Sequence, residues 1–250
     1  MQTVNTIQNI VILGRGNVAT HLSEALLNAG YSVLQLWKRG DVLIDADLYI
    51  IAVSDDAIED VSKLIPEHKF FAHTSGSVEL SRGGVFYPLQ TFSKNIEVDW
   101  TNIPILIEEI NMDDGTNVET HGHASLQDIA KKISTNVHIT TPEKRRHLHL
   151  AAVFACNFTN HLWTISEDLL NEKDIPFDLL KPLIHQTFLK IQNHSPKNVQ
   201  TGPAVRNDLK TLEAHRKILS ECRDALQCVS TTEIYNILSK SIQNTHGSHR

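Results

Sequence analysis

The chain has 250 residues, 41% of them hydrophobic and 21% charged, with a formal net charge of −6. This is the profile of a soluble globular protein of one large domain or two modest ones, and its acidic balance argues against nucleic acid or an anionic membrane as main partner. No stretch reads as a signal peptide or approaches the ~20 apolar residues of a membrane span, and Cys156, Cys222 and Cys228 show neither C-x-x-C nor metal-ligand spacing. A cytoplasmic protein with reduced thiols and no metal site is expected.

Ile10 to Leu13 is an aliphatic run that breaks into Gly14-Arg15-Gly16-Asn17-Val18-Ala19, a G-x-G-x-x-A pattern. Four such residues make a short buried strand. Gly14 suits the tight turn after it, Gly16 lets backbone approach a pyrophosphate, and Ala19 is small enough for a helix to pack on the sheet. The helix predicted from Asn17 to Asn28 stops at Gly30, and its N-terminal amides would face the phosphates. A strand-to-helix turn without a ligand is the simpler alternative.

Tyr31 to Trp37 alternates like a strand, and Leu48 to Val53 is the continuous apolar run of a strand covered on both faces. Asp55 to Ile65 reads as a helix closed by Pro66, and Lys69 to His73 as another strand. Gly84 to Tyr87, Ile103 to Ile107 and Val137 to Ile139 are shorter strands, with a helix from Leu126 to Ile133 between the last two. This alternation implies a mostly parallel sheet with helices on both faces. The ten residues between Trp37 and Leu48 reach ~33 Å when extended but hold no crossover helix. Either the domain is pared down there or the strand order differs.

At Thr141-Pro142-Glu143 an N-cap, a first-turn proline and a dipole-complementing acid open a helix that nothing breaks until about Asn171. Leu148, Ala151, Ala155, Phe158, Leu162, Ile165 and Leu169 form a seam expected to bury against another helix. Val153, Asn157, Asn160, His161 and Thr164 lie on the opposite face. A helix with two such faces is the spine of a domain or an oligomer interface. Helices are expected at Phe177 to Asn193, Val205 to Cys228 and Thr231 to Gln243, which places a boundary at 140/141.

The residues suited to chemistry follow from these positions. Where a dinucleotide site holds the adenosine ribose, the chain has Trp37-Lys38-Arg39. Two cations suit a 2′-phosphate and favour NADP over NAD; Asp41 is the alternative, an acid for a 2′-hydroxyl. Val53-Ser54-Asp55 and His73-Thr74-Ser75 end strands and border the expected nicotinamide side, with Ser54 and Asp55 also expected as N-caps. His73 is either a proton donor or a strand-end histidine bonded to backbone. His121, His123, His147 and His149 read as surface histidines, because no ligand set surrounds them. Arg206 and Asp208 sit at a helix start after Gly202-Pro203, facing a ligand or each other.

Six stretches carry a resemblance: Ile10 to Ala19, Ala46 to Ile58, His73 to Ser77, Tyr87 to Lys94, Ala151 to Trp163 and Thr201 to His215. Together they resemble a bacterial family with a Rossmann-like N-terminal domain and a helical C-terminal domain of unknown function. It is related to pyrroline-5-carboxylate reductase, ketopantoate reductase and the β-hydroxyacid dehydrogenases. The resemblance implies an α/β Rossmann-like dinucleotide-binding domain, 1–140, followed by an all-α domain, 141–250, that serves substrate binding and homodimerisation. It also implies NADP-dependent oxidoreduction of a small polar metabolite, an imine or keto acid, in a cleft between domains. The dehydrogenases carry a catalytic lysine four residues before an asparagine; here Asn157 matches the asparagine and Val153 stands at the lysine position. The expected catalytic residues are therefore His73, Asn157 and His161. Cofactor contacts are expected from Gly14, Arg15, Gly16, Asn17, Val18, Lys38, Arg39, Val53, Ser54, Thr74 and Ser75. Pro88, Leu89, Gln90 and Arg206 are expected to face substrate. A nucleotide-binding sensor or scaffold without turnover is the alternative.

Overall fold

The computed structural model describes residues 7–108, 121–221 and 225–246, with the side chains of 121–125 and 225–229 outside the description. His121 and His123, Cys222 and Cys228 fall outside it. The chain divides into two compact units, Met1–Cys156 and Asn157–Arg250. The division falls inside the long helical run, not at 140/141 where strands give way to helices.

In the first unit, seven strands form one sheet: β1 (Asn9–Leu13), β2 (Ser32–Trp37), β3 (Leu48–Ile51), β4 (Phe71–His73), β5 (Gly84–Pro88), β6 (Ile105–Glu108) and β7 (Val137–Thr140), in the order β2-β1-β3-β4-β5-β6-β7. All neighbours pair in parallel except β5 with β6. That pair is joined by loop and a short 3-10 turn, Trp100–Asn102, with no crossover helix to return the chain to the starting edge. Burial follows position. The central β1 and β3 are almost wholly buried, while the edge strands β2 and β7 are half-exposed.

The period of two along each strand divides the core. Ile10, Ile12, Leu48, Ile50, Ala72 and Phe86 pack under α1 (Asn17–Asn28) and α3 (His121–Ile133). Val11, Leu13, Tyr49, Ile51 and Phe71 pack on the other face with Ile58 and Val61 of α2 (Asp55–Ser62). The helix α2 ends three residues before its expected stop. Leu64 and Ile65 instead make i→i+3 bonds, since a residue before proline disfavours the α conformation.

The short link from β2 to β3 is the pared-down alternative. It passes from one side of β1 to the other without a helix, and Ala46 packs into the second cluster. Its end is pinned where Asp47 accepts from the backbone N–H groups of Gln8 and Asn9 and donates its own to the Asn9 carbonyl. The Tyr49 hydroxyl donates to the Ile44 carbonyl and accepts from the Ala46 N–H, both at 3.0 Å.

The long helical run is α4 (Pro142–Ala152), a π-helical stretch Val153–Phe158 and α5 (Thr159–Asn171). Thr141 caps α4 as expected, accepting from the Lys144 N–H. The expected buried seam is not buried: Leu148 and Phe158 are exposed, and α5 has no buried residue. Periodicity marks what would gain from cover, and the π stretch turns the register of one half against the other. The second unit continues with a 3-10 turn, Phe177–Leu180, then α6 (Lys181–Asn193), α7 (Leu209–Ser220) and α8 (Ala225–His246). The helix α7 starts later than expected, because Asn207 takes a positive φ of 53° and Asp208 becomes the cap. Among the described residues no helix is long and apolar enough to cross a membrane.

Candidate functional site

The parallel strands of the first unit end along one edge, and the candidate residues of that unit collect there. Gly14 follows β1 with φ +144°, and a Cβ on it would lie 2.1 Å from the Ala52 carbonyl oxygen. Only glycine fits, and its N–H donates to the Trp37 carbonyl at 3.0 Å. Gly16, by contrast, has nothing within 4 Å of the place a Cβ would take. It is the N-cap of α1 in extended conformation with no side-chain capping bond, and the first turn carries no acid. The amides of Asn17 and Val18 therefore begin a helix at an N-cap with no described atom near the Cβ position of Gly16, while Ala19 packs on the sheet with no exposure. Asn17 donates to the Phe92 carbonyl at 3.0 Å, and His21 Nε2 donates to that of Ser93 at 3.0 Å. Both hold the segment after β5 against α1.

At the end of β2 the opposite charges meet. Arg15 Nε donates to the Leu36 carbonyl at 2.8 Å, and its guanidinium lies 3.3 Å from Asp41. The same Asp41 oxygen accepts the Lys38 N–H at 3.0 Å. The side chains of Lys38 and Arg39 are exposed and pair with none of the described residues. This turn offers three cations and one partly engaged carboxylate.

At the ends of β3 and β4 the hydrogen bonding differs from expectation. Val53 is half-buried. Ser54 stands at the N-cap of α2, yet its hydroxyl makes no capping bond. Asp55 accepts a short hydrogen bond from the Ser77 hydroxyl instead. Thr74 is tied to the Ile51 carbonyl through its N–H at 3.0 Å and its hydroxyl at 3.3 Å. Ser75 is buried, its oxygen accepting the N–H groups of Ser77 and Val78 at 3.0 Å each. His73 is 2% exposed and its Nδ1 accepts the Ser75 N–H at 3.2 Å. Burial, helped by the Arg145 charge and opposed by Asp55, lowers its pKa to about 4. His73 is thus the backbone-bonded, neutral histidine of the two alternatives, with its ring proton on Nε2.

Two groups that sequence reasoning missed hold this edge together. Arg145, on α4, is fully buried. It donates to Glu108 through Nε at 2.5 Å and Nη2 at 3.3 Å, and to the carbonyls of Ser75 at 2.9 Å and Val78 at 2.6 Å. It braces the loop after β4 from below. One turn later His149 lies 3.0 Å from the Tyr87 hydroxyl through Nδ1, the rings meeting edge-on. His149 is therefore not the surface histidine expected, whereas the exposed His147 makes a hydrogen bond within its own helix, at the Glu143 carbonyl. The i,i+4 spacing of Arg145 and His149 was the available signal. It needed the knowledge that the first turns of α4 cover the sheet.

After β5, which Pro88 ends, Leu89 donates to the Pro104 carbonyl at 2.8 Å, and Gln90 is exposed with its side chain bound to Thr91. In the second unit, Asn157 lies in the π stretch, and Asn157, His161 and Arg206 are all exposed. The alternative of a hydrogen-bonded Arg206–Asp208 pair is not what the turn shows: Asp208 accepts from the Thr211 N–H and hydroxyl at the start of α7, and Arg206 acts on it only through its charge.

Residues 116–242 match the family model described as a domain of unknown function, DUF2520. The chain belongs to this family. A "putative NADP oxidoreductase" of Bacteroides fragilis is 34% identical to this DUF2520 chain, covering 97% of it and 100% of the relative, with a TM-score of 0.84. A Thermotoga maritima protein shares 19% identity over 96% of this chain and 99% of its own, with a TM-score of 0.68. An Aspergillus terreus reductive aminase, solved with NADPH and ethyl-5-oxohexanoate, shares 11% over 98% and 100%, with a TM-score of 0.67. The last two likenesses show the fold. No curated protein matches the chain.

Proposed function

We propose that this DUF2520 chain is an NADP-dependent oxidoreductase that reduces a C=N or C=O bond in a small polar metabolite. The observation that carries it is the turn from β1 to α1, where Gly14 is sterically compulsory, no described atom lies near the Cβ position of Gly16, and the helix start has no side-chain cap. The name borne by the Bacteroides fragilis relative supports it. The amides from Gly14 to Val18 would hold the pyrophosphate, and Arg15, Lys38 and Arg39 the 2′-phosphate. Val53, Ser54 and Thr74 would border the nicotinamide, which supplies the hydride when bound. Pro88, Leu89 and Gln90, at the end of β5, are the candidate substrate contacts of the first unit; Asn157, His161 and Arg206 are exposed polar side chains of the second unit, taken by themselves. The exposed apolar side chains of the second unit support pairing of two chains through their helical units.

Titration calorimetry tests the cofactor reading. NADPH is expected to bind at least tenfold more tightly than NADH, a difference of about 1.4 kcal/mol. The K38A/R39A variant is expected to lose that preference while still binding NADH. No heat from either nucleotide at millimolar concentration overturns the reading and leaves the glycine turn a structural one.

A further inference from the structure

We propose that Tyr87 is the proton donor of this site and that His149 is the positioning residue that replenishes it. The inference rests on the reductase reading above. Three observations on the first unit carry it. Tyr87 is the penultimate residue of β5, next to the carboxyl edge where the candidate cofactor residues gather, and it is half-buried. Its hydroxyl is held at 3.0 Å by His149 Nδ1. Both rings rest on Gly76, where a Cβ would come within 2.4 Å of His149 Nδ1 and 2.8 Å of the Tyr87 ring. Gly76 belongs to the loop after β4, so the pair sits on the segment that also carries Thr74 and Ser75.

The other histidine of this edge does not compete. His73 is neutral down to about pH 4 and its Nδ1 is occupied by the Ser75 N–H. Burial pushes the Tyr87 pKa up to about 12, with Arg145 opposing and Asp55 adding to the rise. A bare tyrosinate is therefore costly here, and a partner that returns a proton as one leaves removes that cost. Two charged groups act on Tyr87: Arg145 on α4, itself paired with Glu108 on β6, and Asp55 at the start of α2.

The step balances. Hydride from reduced nicotinamide adds to the substrate carbon, and the π electron pair moves to the nitrogen or oxygen. That atom takes the Tyr87 hydroxyl proton, while the Nδ1 proton of the His149 imidazolium passes to the Tyr87 oxygen. Tyrosine is restored, the cofactor is oxidised, the substrate is reduced, and neutral His149 regains its proton from water. Turnover is then fastest with His149 protonated.

The test compares wild type, Tyr87→Phe and His149→Gln. NADPH binding is measured by calorimetry and reduction of 2-methyl-1-pyrroline by loss of nicotinamide absorbance. Histidine ring NMR is recorded with NADP⁺ and the non-reducible lactam 2-pyrrolidinone. All three proteins are expected to bind NADPH within about twofold. Tyr87→Phe loses about 100-fold or more in kcat, in the range of general acid catalysis. The kcat of wild type falls as pH rises through the NMR titration of His149, and His149→Gln loses that limb. The lactam moves the His149 ring signals in wild type and leaves them in place in Tyr87→Phe. A Tyr87→Phe variant as fast as wild type overturns the proposal, as does a wild type that binds NADPH but neither reduces the imine nor answers the lactam. Failure of wild type to bind NADPH overturns the reductase reading itself, and this proposal with it.

Discussion

The inward-facing residues of β1 and β3 in the first unit meet apolar side chains on both faces of the sheet, and its two clusters hold nearly all of the buried apolar side chains described. In the second unit only Ala204, Leu212 and Leu219 join that class, while Trp163, Leu179, Leu183, Phe188, Ile218 and Ile237 stay exposed in the chain as a whole. A sheet flanked by helices closes its own core, so the first unit can be specified by local pattern and supplies a rigid edge for chemistry. The helices of the second unit are amphipathic, and many of their described apolar side chains are exposed. Stability experiments should therefore respond to interior substitutions in one unit and to surface substitutions in the other.

The largest expected effect is Arg145→Met. It removes a buried cation from Glu108, which is itself nearly buried, and leaves two carbonyls unpaired. Breaking such a pair costs roughly 3–5 kcal/mol. Urea denaturation should show the first unit unfolding at much lower denaturant. The double variant Arg145→Met with Glu108→Leu should recover part of the loss, because no uncompensated charge is then buried. Equal stability of the single variant and wild type would show that the loop after β4 is held by other means.

This bracing arginine also marks the limit of what the sequence discloses. The strand Ile10–Leu13 and the helix Asn17–Asn28 were legible because an apolar run, two glycines and a terminating Gly30 act within a few residues of one another. The role of Arg145 depends on Glu108, 37 positions away, and that of His149 on Tyr87, 62 positions away. Pattern along the chain puts Arg145 and His149 on one face of α4 but does not name the partner of either. Ser54 and Asp55 both read as caps of α2; Ser54 holds the N-cap position without a capping bond, and Asp55 is the first residue of the helix, engaged with Ser77 in another distant contact. The π stretch at Val153–Phe158 was invisible for a different reason: an i→i+5 turn needs no special residue, so an uninterrupted helix-forming sequence gives no warning. The long seam was read from periodicity as buried, and periodicity does not say by what.

A second break comes from acid. The His73 pKa is lowered from an ordinary 6.5 to about 4. Between these values the unfolded chain takes up a proton that the folded one refuses, so stability falls as pH drops from 6.5 toward 4 and is fully present above 6.5. The full interval is worth about 3 kcal/mol. Denaturation of wild type at pH 7 and pH 4, set beside His73→Gln, should show a smaller acid loss in the variant. Equal losses would place the acid sensitivity elsewhere.

The smallest effect per residue falls on the second unit. If its exposed apolar side chains are covered by a second copy of this chain, sedimentation equilibrium of wild type should give the mass of two chains at micromolar concentration. Leu183 and Phe188, both on α6, are 62% and 52% exposed. Full burial of such a side chain is worth about 1.5–3 kcal/mol, so L183E with F188E should weaken association by roughly 10²- to 10⁴-fold in Kd. NADPH affinity should hold in the same variant, because the phosphate turn belongs wholly to the first unit. Loss of both together would show that the substitutions disturb the first unit as well. A wild type that sediments as one chain would show that the helical unit tolerates this apolar surface in water.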